Sequence, residues 1–329
     1  MLNSSFSSTL YDTSIPRKPT CVLAACDDKY AFCLFVAIQT LLKNSPQLVA
    51  QADIWVAGFN LSAQTKKILS SLPHTRVFDY TFPDTFPPIQ QFLNFTQASF
   101  ARYECFTLLH LYQKVLYLDS DVLVEKELLP LFDTLTNGIG LVQDPFISKT
   151  GRNFFNPIAG FNMEAVGFNS GFLVLKQGTT WSKNIDEIKQ FLYTKTLQYA
   201  NDLIYPDQGI INLAVEQFQL CPTPLSDLYN CPASKPISTL KKAFIIHATG
   251  PRKFWCYYYF DEFYTYYTQW IKAGGEKVSV RKGDSLLYKK FIQKTHLDKY
   301  IFIQLCPDFI ARPLKALRFS IKKLLHCKF

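Results

Sequence analysis

Apolar runs of four or five residues alternate along this chain with longer stretches in which apolar positions recur every three to four residues. Cys21–Ala25, Ile54–Ala57, Arg76–Tyr80, Val115–Leu118, Ile139–Val142, Gly171–Leu175 and Phe244–His247 read as strands. Ala31–Lys43, Ser62–Leu72, Ser99–Tyr112, Thr180–Leu192 and Pro206–Val215 carry helical spacing, and Asn44-Ser45-Pro46 stops the first of them. Strands alternating with helices predict an α/β fold, with a mixed but mostly parallel sheet covered on both faces. The stretch from Phe254 to Trp270 stands apart, because eleven of its seventeen residues are aromatic. It is expected to form a helix burying a wide apolar side against the sheet, with a few rings left to stack on a carbohydrate.

Asp119 and Asp121 interrupt the pattern where Val115–Leu118 ends and Val122–Val124 begins. Residues two apart in an extended chain project to one face, so these carboxylates are predicted to point the same way, with Ser120 turned off between them. Two like charges beside buried apolar runs repel, and a divalent cation relieves the cost. All-oxygen ligands suit Mg²⁺, Mn²⁺ or Ca²⁺. The end of a buried strand is also where open α/β sheets place their ligands.

His247 closes the last apolar run and is followed by Gly250 and Lys253. A histidine there is often only hydrogen-bonded structure. A third metal ligand, a glycine that lets backbone approach a ligand, and a lysine facing phosphate would account for all three together. Asn169-Ser170-Gly171 before one strand and Asp207-Gln208 at a helix start are, taken alone, compatible with ordinary turns and caps.

With 329 residues, 48% of them hydrophobic, the chain can bury a sizeable core. Nine cysteines, an odd number without metal-type spacing and mostly in apolar runs, predict buried free thiols and a reducing compartment. The polar start of the chain predicts no cleaved leader, and no apolar run approaches the ~20 residues of a membrane-spanning helix. Six of the nine excess positive charges lie in Ala311–Phe329, which contains no acid. In that tail Leu314, Leu317, Ile321, Leu324 and Leu325 form one helical stripe flanked by Lys315, Arg318, Lys322 and Lys323. Such a helix either docks on the domain or lies on an anionic membrane surface. No nucleic-acid-binding motif accompanies the charge.

Several pieces occur in a specific order: Ala24-Ala25-Cys26-Asp27-Asp28-Lys29-Tyr30, Phe100-Ala101-Arg102, Lys114 to Asp121, Phe168 to Gly171, Asp207-Gln208, and His247, Gly250, Lys253 and Trp255. Together they resemble glycosyltransferase family 8, and in particular its bacterial lipooligosaccharide galactosyl- and glucosyltransferases. The resemblance implies one nucleotide-sugar-binding GT-A domain, a UDP-hexose donor, retention of anomeric configuration, and Mn²⁺ in preference to Mg²⁺ at Asp119, Asp121 and His247. It further implies that Asp27 meets the uracil edge, Tyr30 stacks on its face, and Gly250 and Lys253 contact the phosphates. Arg102, Asn169, Gly171 and Asp207 would hold donor hydroxyls, with Ala25, Ser120 and Ser170 lining the same site. Gln208 falls nearest the anomeric carbon, making Gln208 and Asp207 the candidate catalytic pair. Phe254 stands where relatives carry a proline, and Lys29 and Ser170 also depart from the usual residues.

On this basis residues 1–18 are expected to be a polar segment, 19–275 the GT-A domain and 276–329 a helical extension ending in the basic tail. The expected activity is transfer of galactose or glucose to a lipid-linked oligosaccharide by a cytoplasmic enzyme, peripheral on the inner face of a bacterial membrane. The similar basic tails of the lipooligosaccharide enzymes favour membrane binding over docking. A protein-modifying glycosyltransferase and a catalytically silent nucleotide-sugar-binding scaffold are the alternatives.

Overall fold

The computed structural model describes residues 17–85, 96–178, 180–250, 253–255 and 260–278. The first strand, β1 (Thr20–Asp27), is buried along nearly its whole length and leads into helix α1 (Ala31–Asn44). A short helix α2 (Pro46–Ala50) returns the chain to β2 (Ala52–Phe59), and α3 (Ala63–Ser70) carries it on to β3 (Thr75–Asp79). The Ser62 side chain caps α3 by accepting from the Thr65 N–H, and the Asp28 carboxylate accepts in turn from the Ser62 N–H at 3.0 Å.

After β3 the chain crosses to the other side of β1. It passes through a 3₁₀ segment, Gln97–Tyr103, and helix α4 (Glu104–Leu108) before entering β4 (Lys114–Leu118). Then come β5 (Val122–Val124), β6 (Ile139–Gln143), β7 (Phe168–Lys176), α5 (Ile185–Gln198), α6 (Pro206–Gln217), β8 (Thr223–Leu225), β9 (Cys231–Pro232), α7 (Ile237–Leu240), β10 (Ile245–His247) and α8 (Asp261–Lys272). Seven strands form the main sheet in the order β3-β2-β1-β4-β7-β6-β8, and β5-β10-β9 form a smaller one. In the main sheet only β7 runs against its neighbours β4 and β6; every other pair is parallel. The predicted mixed, mostly parallel α/β fold is the one observed.

Side-chain alternation divides the core in two. Val22, Ala24, Ile54, Val56, Leu116 and Leu118 face α1 and the small sheet. Cys21, Leu23, Trp55, Ala57, Val115 and Tyr117 face the layer holding α4, α5 and α6. Both faces of each central strand are thus apolar, as a covered parallel sheet requires. The chain leaves β1 in one direction and returns beside it as β4 in the other. That reversal opens a crevice at the carboxyl ends of β1 and β4, where Asp27 and Asp119 sit.

Three expectations need correction. The carboxylates of Asp119 and Asp121 converge as expected, but the backbone between them is a turn and not extended. The main sheet ends at Leu118, and a turn carries the chain into β5 of the small sheet. The helix expected over Ser99–Tyr112 is half 3₁₀: Phe100, Tyr103 and Phe106 are all fully buried at steps of three, the period of a 3₁₀ turn. Within the aromatic segment helix α8 runs over Asp261–Lys272, and in it Phe263 and Tyr267 pack on Phe32 and Trp270 on Phe35, all on α1 where the sheet was expected. Cys21, Cys26, Cys33, Cys105 and Cys231 are buried free thiols as expected, whereas Cys221 is exposed. The tail, and nearly all of residues 1–18 and 276–329, lie outside the described residues.

Candidate functional site

Three side chains from two sheets meet at the crevice. Asp119 follows β4, Asp121 precedes β5, and His247 ends β10, which pairs with β5 so that His247 lies opposite Val122. One ligand atom from each lies within 4.8 Å of the others. His247 Nε2 is 3.2 Å from Asp121 Oδ1 and 3.6 Å from Asp119 Oδ2. Two carboxylate oxygens and an imidazole nitrogen converging this closely are a donor set suited to a divalent cation.

The remaining oxygen of each carboxylate is already engaged. Asp119 Oδ1 accepts from Arg102 Nη2 at 2.7 Å and from the Tyr117 hydroxyl at 3.0 Å. Asp121 Oδ2 accepts from Lys253 Nζ, which also donates to the Ala248 carbonyl at 2.9 Å. Burial alone would push the Asp121 carboxyl up. The Lys253 ammonium and His247 outweigh it and hold the group well below the usual carboxylate range. Burial likewise opposes the charge on Lys253, but Asp121 keeps the ammonium above the ordinary lysine range. The outer oxygens are thus tied to protein cations, while the inner oxygens face His247.

Gly171 makes this packing possible. A Cβ there would lie 2.5 Å from His247 Cε1 and 2.6 Å from Asp119 Oδ2, well inside contact distance. Its carbonyl accepts from the Asp119 N–H at 3.0 Å, fixing the start of the turn.

A second group lies behind this one. Pro206 opens α6 and sets Asp207 and Gln208 in its first turn, both buried. Arg102 bridges the two parts, with Nη1 2.8 Å from Asp207 Oδ2, and Nε donating to the Ser99 carbonyl at 2.8 Å. Ser170 Oγ donates to Asp207 Oδ2 at 2.7 Å. Gln208 Oε1 accepts from Asn169 Nδ2 at 3.1 Å and from the Ser170 N–H at 3.3 Å. Its Nε2 donates to Asp144 Oδ2 at 3.2 Å and to Asn153 Oδ1 at 3.0 Å. Both ends of the amide are therefore held.

On the β1 side, the Asp27 carboxylate accepts from the Tyr30 N–H at 3.1 Å. Burial pushes that carboxyl up, with the Tyr30 N–H partly offsetting it. Tyr30 is half-buried, edge-on to Trp255 at 5.8 Å, with Lys253 Nζ 6.0 Å from its ring centre. Burial pushes its phenol up to about 12. Ala25 is buried in β1, Ser120 sits half-buried in the turn between Asp119 and Asp121, and Gly250 takes a left-handed φ of 73° just beyond β10.

Every site residue expected from sequence is thus described, and the two parts of the site are joined by Arg102, Asn169 and Ser170. Sequence reasoning overlooked Tyr117, Asp144, Asn153 and Asn230. Each makes a side-chain bond to an expected residue. Asp144, which follows the apolar β6 and precedes Pro145, was the one with a readable signal.

Solved structures share the fold. The bifunctional glycosyltransferase WbbM, in its apo form, aligns over 80% of this chain and 53% of its own at 17% identity and a TM-score of 0.59. The galactosyltransferase LgtC, solved with donor and acceptor sugar analogues, aligns over 80% of this chain and 98% of its own at 22% identity and a TM-score of 0.53. The apo glycosyltransferase GlyE of Streptococcus pneumoniae TIGR4 aligns over 80% of this chain and 65% of its own, at 19% identity and a TM-score of 0.50. The chain therefore spans about half the length of WbbM. No curated protein matches it. The family described as "Glycosyl transferase family 8" matches residues 21–258, well over half of the sequence, and the chain belongs to that family.

Proposed function

We propose that this glycosyltransferase is a retaining, Mn²⁺-dependent hexosyltransferase that moves galactose or glucose from a UDP-sugar to a lipid-linked oligosaccharide. The observation that carries the reading is the convergence of Asp119, Asp121 and His247 within 4.8 Å where the end of β4 meets β5 and β10. A cation held there would stabilise the charge that develops on the departing diphosphate. Gly250 and Lys253, which follow β10, would contact the phosphates. Asp27, which ends β1, and Tyr30, just before α1, would meet the nucleobase. In this reading Asn169, Gly171, Asp207 and Arg102 would hold the sugar hydroxyls, with Ala25, Ser120 and Ser170 lining the same site.

The state of Gln208 bears on mechanism. An amide is a poor nucleophile, and this one already accepts two hydrogen bonds at Oε1. That favours attack on the face the phosphate leaves over a covalent double displacement. The C1–O bond to phosphate breaks, and the acceptor hydroxyl oxygen bonds to C1 from the same side. Its proton passes to a phosphate oxygen, and configuration is retained.

The acceptor and the site of action rest on the resemblance to lipooligosaccharide enzymes and on the basic stripe of Ala311–Phe329. Among the described residues no helix is long and apolar enough to cross a membrane. We place the enzyme on the inner face of a cytoplasmic membrane, with residues 19–275 as the catalytic domain and 276–329 as the extension that reaches the lipid. The test is a thermal-shift screen of UDP-sugars with and without Mn²⁺, followed by NMR of the product's anomeric proton. Stabilisation by UDP-galactose or UDP-glucose only with Mn²⁺, lost in Asp121→Asn, and an α-linked product are expected. A β-linked product, or full activity in chelator, would overturn the reading.

A further inference from the structure

His247 can offer Nε2 to a cation only if its proton sits on Nδ1. The structure contains a hydrogen-bond chain that decides this, and it starts from a backbone group whose polarity is not in question. The Gly171 N–H donates to Asn169 Oδ1 at 2.9 Å, which fixes that amide with its oxygen toward Gly171. The same oxygen accepts from Asn230 Nδ2 at 2.7 Å. Asn230 must then turn its own Oδ1 to His247 Nδ1, 2.7 Å away. An amide oxygen only accepts, so the neutral ring carries its proton on Nδ1, which leaves the Nε2 lone pair for a cation held between Asp119 and Asp121. The competing tautomer would aim an N–H from Nε2 at Asp121 Oδ1, 3.2 Å away, and would close the imidazole to a cation.

We propose that Asn230 is a positioning residue for the metal site: through the chain Gly171–Asn169–Asn230 it holds His247 in the tautomer that presents Nε2 to the cation. The inference rests on the metal reading above. It also links that site to the sugar side, because the anchoring amide of Asn169 donates to Gln208 and to Asp144. Asn230 lies seventeen residues before His247 and just ahead of β9, the strand paired with β10, so the small sheet holds both partners.

Three variants of the intact chain test this. Asn230→Leu keeps the bulk and removes the acceptor, Asn230→Ser shortens the side chain out of reach, and Asn230→Asp keeps an acceptor for Nδ1–H. Long-range proton–nitrogen NMR of the metal-free protein at mildly alkaline pH reads the tautomer directly, with His247→Ala assigning the signal among the five histidines. Electron paramagnetic resonance of free Mn²⁺ reads affinity. The wild type and Asn230→Asp are expected to hold the Nδ1–H form, and Asn230→Leu and Asn230→Ser to move toward Nε2–H. Mn²⁺ binding should weaken roughly 10- to 100-fold in the Leu and Ser variants and only a few-fold in Asp. A wild-type Nε2–H ring, or an Asn230→Leu or Asn230→Ser protein with unchanged tautomer and Mn²⁺ affinity, would overturn the proposal while leaving the metal site standing. Failure of the wild type to bind Mn²⁺ at all would instead remove the metal site, and the role of Asn230 with it.

Discussion

At the scale of single residues, the candidate site is a matter of clearance and of which atoms are already spent. Gly171 has room for hydrogen and nothing larger, since a methyl group would meet His247 and Asp119 at 2.5 and 2.6 Å. Gly171→Ala is therefore expected to push these two ligands apart, at a cost of about 1–3 kcal/mol in overpacking. Mn²⁺ affinity should fall by at least about tenfold while the fold survives; a titration equal to wild type would show that the neighbours yield freely. Gln208 makes a different prediction, because its amide is a bridge rather than a nucleophile. Gln208→Ala should leave Asn153 and Asp144 short of a donor and lower the rate by roughly 10- to 100-fold. Intact-mass analysis of the wild type mixed with donor alone should reveal no glycosyl adduct, and an adduct on Gln208 would reverse the mechanism. Sequence made Asp119, Asp121, His247, Asp207 and Gln208 visible, because each stands beside an apolar run or a helix start. Asn230 and Asn153 were invisible for a physical reason: each is a lone amide ending a short 3₁₀ turn, which has no periodic signature, and their partners are 17 and 55 residues away.

At the scale of elements, the strands were legible and the joints between them were not. Buried parallel strands are nearly continuous in apolar residues, so β1, β2 and β4 announce themselves. The turn at Asp119–Asp121 could not be seen, because Val115–Val124 reads equally well as one interrupted strand or as two strands in different sheets. The docking of α8 on α1 was hidden too, since an apolar helix face does not name its partner. That docking carries a charge defect. Glu262 of α8 pairs with Lys43 of α1 at 2.8 Å, and Glu125, at the end of β5, lies in the same field. Burial, with Glu262 adding to it, pushes the Glu125 carboxyl up from 4.5 to about 7. A raised carboxyl pKa means that the folded state holds the proton more tightly than the unfolded one. The stability this gives is complete below pH 4.5 and lost as the pH climbs through about 7. Glu125→Gln should thus match wild type in Tm under acid conditions and exceed it at alkaline pH. Glu125 is partly solvated, so the gain should be held to about 1–2 kcal/mol. Melting curves with no pH-dependent gap between the two proteins would show that Glu125 titrates normally.

At the scale of the whole molecule, charge and catalysis are separable along the sequence. The described site residues end at Trp255 and the matched family region at 258, whereas six of the nine excess positive charges follow residue 311. The fold itself was readable in outline from alternating periods. Where the tail goes was not, because an amphipathic stripe satisfies a protein surface and a lipid surface alike. It lies outside the described residues, so the sequence alone carries the expectation that it seeks lipid. Each Lys or Arg near an anionic surface contributes ~1 kcal/mol, and six of them bring on the order of several kcal/mol, weakening as salt shortens the screening length. Deleting residues 311–329 should therefore release the protein from vesicles rich in anionic lipid, while Mn²⁺-dependent hydrolysis of the UDP-sugar stays within a few-fold of the intact chain. Co-sedimentation against increasing salt, run on both proteins, separates the alternatives. Salt-sensitive binding that disappears with the tail places the positive charge on the membrane. Binding that survives truncation and ignores salt would mean that the stripe packs against the fold and that lipid is met elsewhere.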